Sequence, residues 1–206
     1  MKIRLYSLLL IVTLWTVPAA AAEVTLNPDA DSYVMAYSPS FPRGDWTNVS
    51  MGYDRGCVDA LVRFDLSPYS DIDVSSAELQ VYCFQNWDAP PADNYLYLTA
   101  AAWDEATVVW DNKPGYDTSD ELVFAAPAED TWLNLDVSEF IVDWIAGTYP
   151  NYGFYITQTT TVAGGFSFYS REYDDDDYAC IPRLVIQYTG GAVESASWGC
   201  IKALTN

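Results

Sequence analysis

Carboxylates and aromatic rings are the side chains with which this sequence could do chemistry. Its 206 residues include 29 Asp and Glu, 16 Tyr and 8 Trp, against 9 Lys and Arg and no histidine. The missing imidazole removes Ser–His–Asp and Cys–His catalysis and the common zinc ligands. Three chemistries stay open: paired carboxylates, oxygen ligation of a hard cation, and aromatic stacking on a ligand. Asp104, Glu105 and Asp111 could suggest a carboxylate pair, but their spacing suits turns and caps better. Asp174 to Asp177 is the densest charge run. Successive side chains of an extended segment alternate, so four neighbours cannot share one ion. The run reads as a solvated acidic turn or as one calcium site formed by Asp174, Asp175 and Asp177. For stacking, Trp46, Trp87, Tyr53 and Tyr173 are the candidates, because they fall in loop-like segments outside the core pattern. Tyr116 and Tyr149 also fall in loops. Such rings either meet a ligand face or pack over sheet edges.

Arginine is scarce, yet Arg63 and Arg171 sit in the strand-like runs L-V-R-F-D-L-S and F-S-F-Y-S-R-E. A charge in a half-buried strand is costly unless paired. Arg63, Arg171 and Glu172 therefore read as structural ion pairs, with Glu172 or Asp65 as the expected partner of Arg63.

The elements that must position these residues show a period of two, the mark of strands. The expected strands are Ser32–Tyr37, Val58–Asp65, Ser76–Phe84, Asn94–Ala102, Leu122–Phe124, Thr131–Asp136, Tyr152–Thr157, Gly165–Ser170 and Pro182–Tyr188. One segment differs. Val137, Phe140, Ile141, Trp144 and Ile145 have helical spacing, with Gly147 as the stop and Asp136 or Ser138 as the cap. About nine strands and one short helix predict an all-β, jelly-roll-like antiparallel β-sandwich. Trp103, Trp110, Trp132 and Trp144 follow alternating or helical patterns and are expected in its core.

Residues 1–22 read as a secretory signal peptide. Lys2 and Arg4 precede an apolar stretch from Leu8 to Val17, and small residues lead to a cut after Ala22. The stretch is too short to span a bilayer, and no later segment is long and apolar enough. Four cysteines follow, and an exported chain makes disulfides plausible. Three full pairings exist. Cys57 and Cys180 each precede a strand-like run, which favours that pair, while Cys83 alternates with Leu79 and Val81 as a buried thiol would. The formal charge of −20 disfavours nucleic acid and polyanionic glycans as partners.

Eight blocks recur in order: DADSYV, LVRFDLS, SSAELQVY, WDEATVVWDNKP, WLNLDVSEFIVDWIAG, NYGF, FYSRE and PRLVIQY. Together they resemble the DNRLRE-domain family, grouped with carbohydrate-binding module family 96 and related to disaggregatase-associated domains. The resemblance runs from about Val24 to Tyr188. It implies a secreted, non-catalytic β-sandwich over residues 23–189 that binds polysaccharide. Some members bind acidic polysaccharides, but with so few basic residues a neutral cell-surface or matrix glycan suits this chain better. The rival reading is a structural or adhesive envelope protein that self-associates or packs with other surface proteins without binding sugar. Residues 190–206 read as a linker and tail, with Trp198, Ile201 and Leu204 spaced for one face of a short helix.

Overall fold

The computed structural model describes residues 21–89, 94–174 and 180–190. Among these lie eleven strands and one α-helix. In chain order the strands are β1 (Ala22–Leu26), β2 (Ala30–Met35), β3 (Asn48–Tyr53), β4 (Cys57–Arg63), β5 (Ile72–Trp87) and β6 (Asn94–Thr99). Then come β7 (Tyr116–Phe124), β8 (Thr131–Asp136), β9 (Phe154–Gln158), β10 (Gly164–Tyr169) and β11 (Arg183–Gly190), with helix α1 (Ser138–Ala146) between β8 and β9. The strands form one curled sheet in the order β1-β11-β5-β10-β3-β4-β9-β6-β7, with β2 added on β4 and β8 on β5. Every ladder is antiparallel. The all-β architecture expected from the alternating pattern is therefore present.

Two strands that change neighbours along their length let the sheet curl. On one edge, β5 pairs with β11 through Gln80 and then with β10 from Cys83, while β8 occupies its other edge. Likewise β4 pairs with β3 at Cys57 and Val58 and with β9 from Ala60 to Val62, while β2 lines its other side. The inward residues of distant strands thus face one another. Phe166 of β10 meets Phe124 of β7 at 6.3 Å between ring centroids. Helix α1 packs Phe140 and Trp144 onto Phe154 of β9. Leu79, Val81, Cys83, Leu96, Ile156 and Phe168 complete the same core.

The helix starts one residue later than its spacing predicts. Asp136 accepts the Ser138 backbone N–H at 3.0 Å, and Ser138 Oγ accepts the Ala77 N–H of β5 at 2.8 Å. Both expected cap residues are thus engaged, but Val137 occupies the cap position itself. Gly147 ends the helix with φ 72°, where its N–H reaches the Asp143 and Trp144 carbonyls.

Three strands escaped the pattern in whole or part. β1 is a short, largely exposed edge strand. β3 carries Asn48, Ser50 and Gly52 on its outward face. β7 extends back to Tyr116, and most of its residues are exposed, so its faces do not differ in polarity.

The expected Cys57–Cys180 disulfide is not formed. Cys57 opens β4 in the neighbourhood of Asp59 and Lys113, whereas Cys180 precedes β11 and interacts with Tyr82 and Tyr169. No disulfide forms among the described residues. Cys83 is a buried core thiol, and burial pushes its pKa up to about 11.

Adjacent residues of β8 test the inward and outward assignment. Leu135 is buried and Asn134 is exposed. Leu135→Ala is expected to cost about 2–4 kcal/mol in urea unfolding. Asn134→Ala should stay within about 0.5 kcal/mol. Equal costs would contradict the register.

Candidate functional site

The family-like blocks converge on two arginines. Arg63 donates from Nε and Nη2 to Asp29 Oδ2, at 2.9 and 2.6 Å, and from Nη1 to the Trp103 carbonyl at 3.2 Å. Its guanidinium also lies 5.4 Å from the centre of the Trp103 ring. The partner of Arg63 is thus Asp29, not Glu172 or Asp65. Arg171 Nε donates to Glu172 Oε1 at 2.7 Å and lies 3.4 Å from Glu105 Oε1. Its Nη1 reaches the backbone carbonyl of Asp29. Asp29 therefore touches both arginines. Asp31 closes the cluster: its N–H donates to Glu105 Oε1 at 2.7 Å, and its Oδ2 accepts the Arg171 N–H at 2.8 Å.

Asp31, Glu105 and Glu172 each place one carboxylate oxygen within 4.8 Å of the others, close enough to share a cation. Arg171 already supplies positive charge there. The sequence did not single out Asp31 or Glu105 as members of such a cluster, because their segments lie 74 residues apart. Of the acidic run, Asp174 is exposed. Asp175 and Asp177 lie outside the described residues. Asp104 serves a turn, accepting the Ala106 N–H at 2.9 Å, and Asp111 accepts the Ser40 hydroxyl at 3.0 Å.

A second constellation lies on the outer face of β5, β8 and β10. Leu79, Val81 and Cys83 point into the core, so Gln80, Tyr82 and Phe84 point out. Trp132 of β8 stands opposite Tyr82. On β10, Phe166 and Phe168 point in, so Ser167 and Tyr169 point out. The Tyr169 ring stacks on Phe84 at 4.6 Å and on Tyr173 at 3.6 Å. Tyr82 meets Trp132 edge to face at 5.4 Å. Polar groups flank the rings. Arg183 lies 4.3 Å over Trp132 and donates from Nε to Gln80 at 2.6 Å. Ser50 and Ser167 share a hydrogen bond of 2.8 Å. Beyond them Trp87 lies over Gly52 and Gly165, where a Cβ on either glycine would overlap its ring. From Gly165 to Tyr169 the strip runs four residue steps, about 13 Å. The Tyr169 hydroxyl is pushed up to about 12, first by its hydrogen bond with Tyr173 and then by burial.

The structure separates the four expected ligand aromatics. Trp87 and Tyr173 flank this strip. Trp46 is 41% exposed but packs edge to face on Tyr33 and Phe41, around the buried Arg43 guanidinium. Tyr53 ends β3 opposite Cys57 and Gly164, away from the strip. Of the tryptophans expected in the core, Trp103 and Trp144 are buried, and Trp110 packs partly buried on a small satellite cluster. Trp132 is a correction: its register with Tyr82 puts it on the outer face. A signal for the strip was present, since a buried Cys83 forces Tyr82 and Phe84 outward together.

The charge cluster makes a pH prediction. Burial chiefly, then the carboxylates of Glu172 and Glu105, raise Asp31 well above the usual carboxylate range, and the Arg171 N–H only partly opposes them. The folded state then holds this proton more tightly than the unfolded chain. Between the unfolded value near 4 and the raised folded value, the contribution of Asp31 to stability falls as pH rises. Asp31→Asn should therefore raise the Tm of EDTA-treated protein at pH 7 and give no gain near pH 3. A lower Tm at pH 7 would contradict this account.

Residues 22–188 match the family model described as carbohydrate-binding module family 96. No curated protein matches the chain. The family match begins in β1, ends at Tyr188 within β11, and takes in every element between them. With well over half of its length covered, the chain belongs to carbohydrate-binding module family 96.

Proposed function

We propose that this protein is an exported, non-catalytic module that binds a neutral polysaccharide through the outer face of β5, β8 and β10. One observation carries the reading: Tyr82, Phe84, Trp132 and Tyr169 stand together on a face that strand alternation assigns to solvent. A purely structural sheet would be expected to carry polar residues there. Ring surfaces suit the apolar faces of sugars, and the flanking serines, amides and tyrosine hydroxyls suit their hydroxyl groups. Family membership supports carbohydrate as the partner class.

Charge argues for a neutral polymer. Arg63, Arg171, Lys113 and Arg55 each face a carboxylate. Arg183 alone brings positive charge to the strip, and it is held by Gln80 and Trp132. Export rests on the leader-like residues 1–22, and no helix among the described residues is long and apolar enough to cross a membrane. Residues 23–189 form the binding domain in this reading, and 190–206 a tail.

A panel of xylan, cellulose, galactomannan and chitin, with alginate as the acidic comparator, tests the proposal. Binding to a neutral polymer is expected, with Trp132→Ala and Tyr169→Ala each weakening it about tenfold, or 1.4 kcal/mol. Running the panel with calcium and with EDTA reads out any contribution of the acidic run at Asp174, Asp175 and Asp177. No binding to any polymer, together with concentration-dependent assembly under the electron microscope, would instead establish the structural or adhesive reading.

A further inference from the structure

We infer that Lys113 and Asp59 condense to an isopeptide bond, so that the loop before β7 is covalently fastened to β4. The inference is independent of the glycan reading. It starts from alternation along β4. Val58, Ala60 and Val62 point into the main core, so Asp59 and Leu61 point the other way. That side is closed to solvent. The loop between β6 and β7 covers it, and Leu61, Trp103, Val108 and Tyr155 pack there as a satellite cluster. Asp59 is thus a buried carboxylate beside apolar side chains.

Lys113 Nζ meets Asp59 Oδ2 at 3.1 Å. It also lies 4.5 Å from the centre of the Trp110 ring and 4.9 Å from that of Tyr155. Burial disfavours charge, and moving one proton from an ammonium to a carboxylate removes both charges of a pair. The result is an amine and a carboxylic acid in contact, the two reactants of an amide. Reactants held this way by a fold gain an effective concentration of up to about 10⁸ M over the same groups free in water.

Two hydroxyls complete the arrangement. Thr157 Oγ1 donates to Asp59 Oδ1 at 2.6 Å. The Tyr155 hydroxyl donates to Oδ2 and accepts from Lys113 Nζ. The two carboxylate oxygens therefore have different fates. As Nζ attacks Cγ, the charge developing on Oδ1 meets the Thr157 hydroxyl, a donor already in place. Tyr155 takes the second amine proton and passes its own to Oδ2. The Nζ–Cγ bond forms, the Cγ–Oδ2 bond breaks, and Oδ2 leaves as water with both protons. Burial first, and then the charge of Asp59, push the Tyr155 hydroxyl well above its usual range, so it stays protonated between transfers. The Lys113 side chain is 20% exposed, which gives the water a way out.

Mass spectrometry of the full chain tests this. The reduced, denatured protein should be lighter by one water than the sequence from its observed N-terminus. Lys113→Arg keeps the cation without the amine nucleophile, and should show the full mass. Trypsin cuts after Arg55 and Arg63. In the wild type, peptide 56–63, which carries Asp59, should stay attached to the fragment that carries Lys113, and in Lys113→Arg it should be released. In protein followed from its synthesis, Tyr155→Phe should slow bond formation at least about tenfold. Equal rates overturn the relay through Tyr155. Wild-type protein that keeps its full mass on prolonged incubation, with peptide 56–63 free, overturns the inference and leaves the glycan reading untouched. A missing water with peptide 56–63 free places the loss elsewhere in the chain and overturns it as well.

Discussion

Asp29 is the residue through which the two arginines act as one. Its carboxylate takes two donors from Arg63, and its backbone carbonyl takes one from Arg171. From Arg63 the network passes to the Trp103 carbonyl, and the Trp103 indole donates to the Tyr152 carbonyl at 2.8 Å. From Arg171 it passes to Glu172, Glu105 and Asp31. Five segments far apart in sequence are thereby pinned at one place: the start of β2, the end of β4, the loop after β6, the entry to β9 and the turn after β10. Charge-assisted bonds of this kind are directional and short, so they fix where the segments lie as well as holding them. Their net gain over an apolar contact is small. What they supply is register, and register decides which face of each strand is solvent.

That dependence explains what the sequence made legible. Alternation identified most strands, and helical spacing identified α1, because each reports burial within one element. The blocks that carry the family resemblance contain the residues that meet around Asp29. The partner of Arg63 was not legible, since Asp29 lies 34 residues away and nothing local distinguishes it from Asp65. Trp132 was misplaced because a tryptophan in an alternating strand suits either face, and only its pairing with Tyr82 decides. Loop position alone did not show where these rings pack, as Trp46 turns to Arg43 and Tyr33 while Trp87 and Tyr173 lie beside the aromatic strip.

The strip owes its place to the way the sheet curls. Along β5 the neighbour changes from β11 to β10 between Gln80 and Cys83. At that break Tyr169 ends one strand and Arg183 begins another. Side chains there have no continuous neighbouring strand to flank them, and the turn after β10 brings Tyr173 back over Tyr169. The same curl that closes the core thus gathers aromatic residues on the outside.

The placement of the cations supports the proposal of an uncharged ligand. Six Lys and Arg lie among the described residues, and four of them face carboxylates. Arg43 is buried among Tyr33, Phe41 and Trp46, and donates to the Phe41 carbonyl at 2.8 Å. Only Arg183 stands beside the strip, already shared between a ring and an amide. An acidic polymer would bring one charge per residue to a surface with one engaged guanidinium and a strongly negative chain around it. The long-range repulsion would oppose every approach, and salt would weaken that repulsion without creating a partner for the charge. The arginines engaged around Asp29 are therefore absent from the surface proposed to meet the glycan.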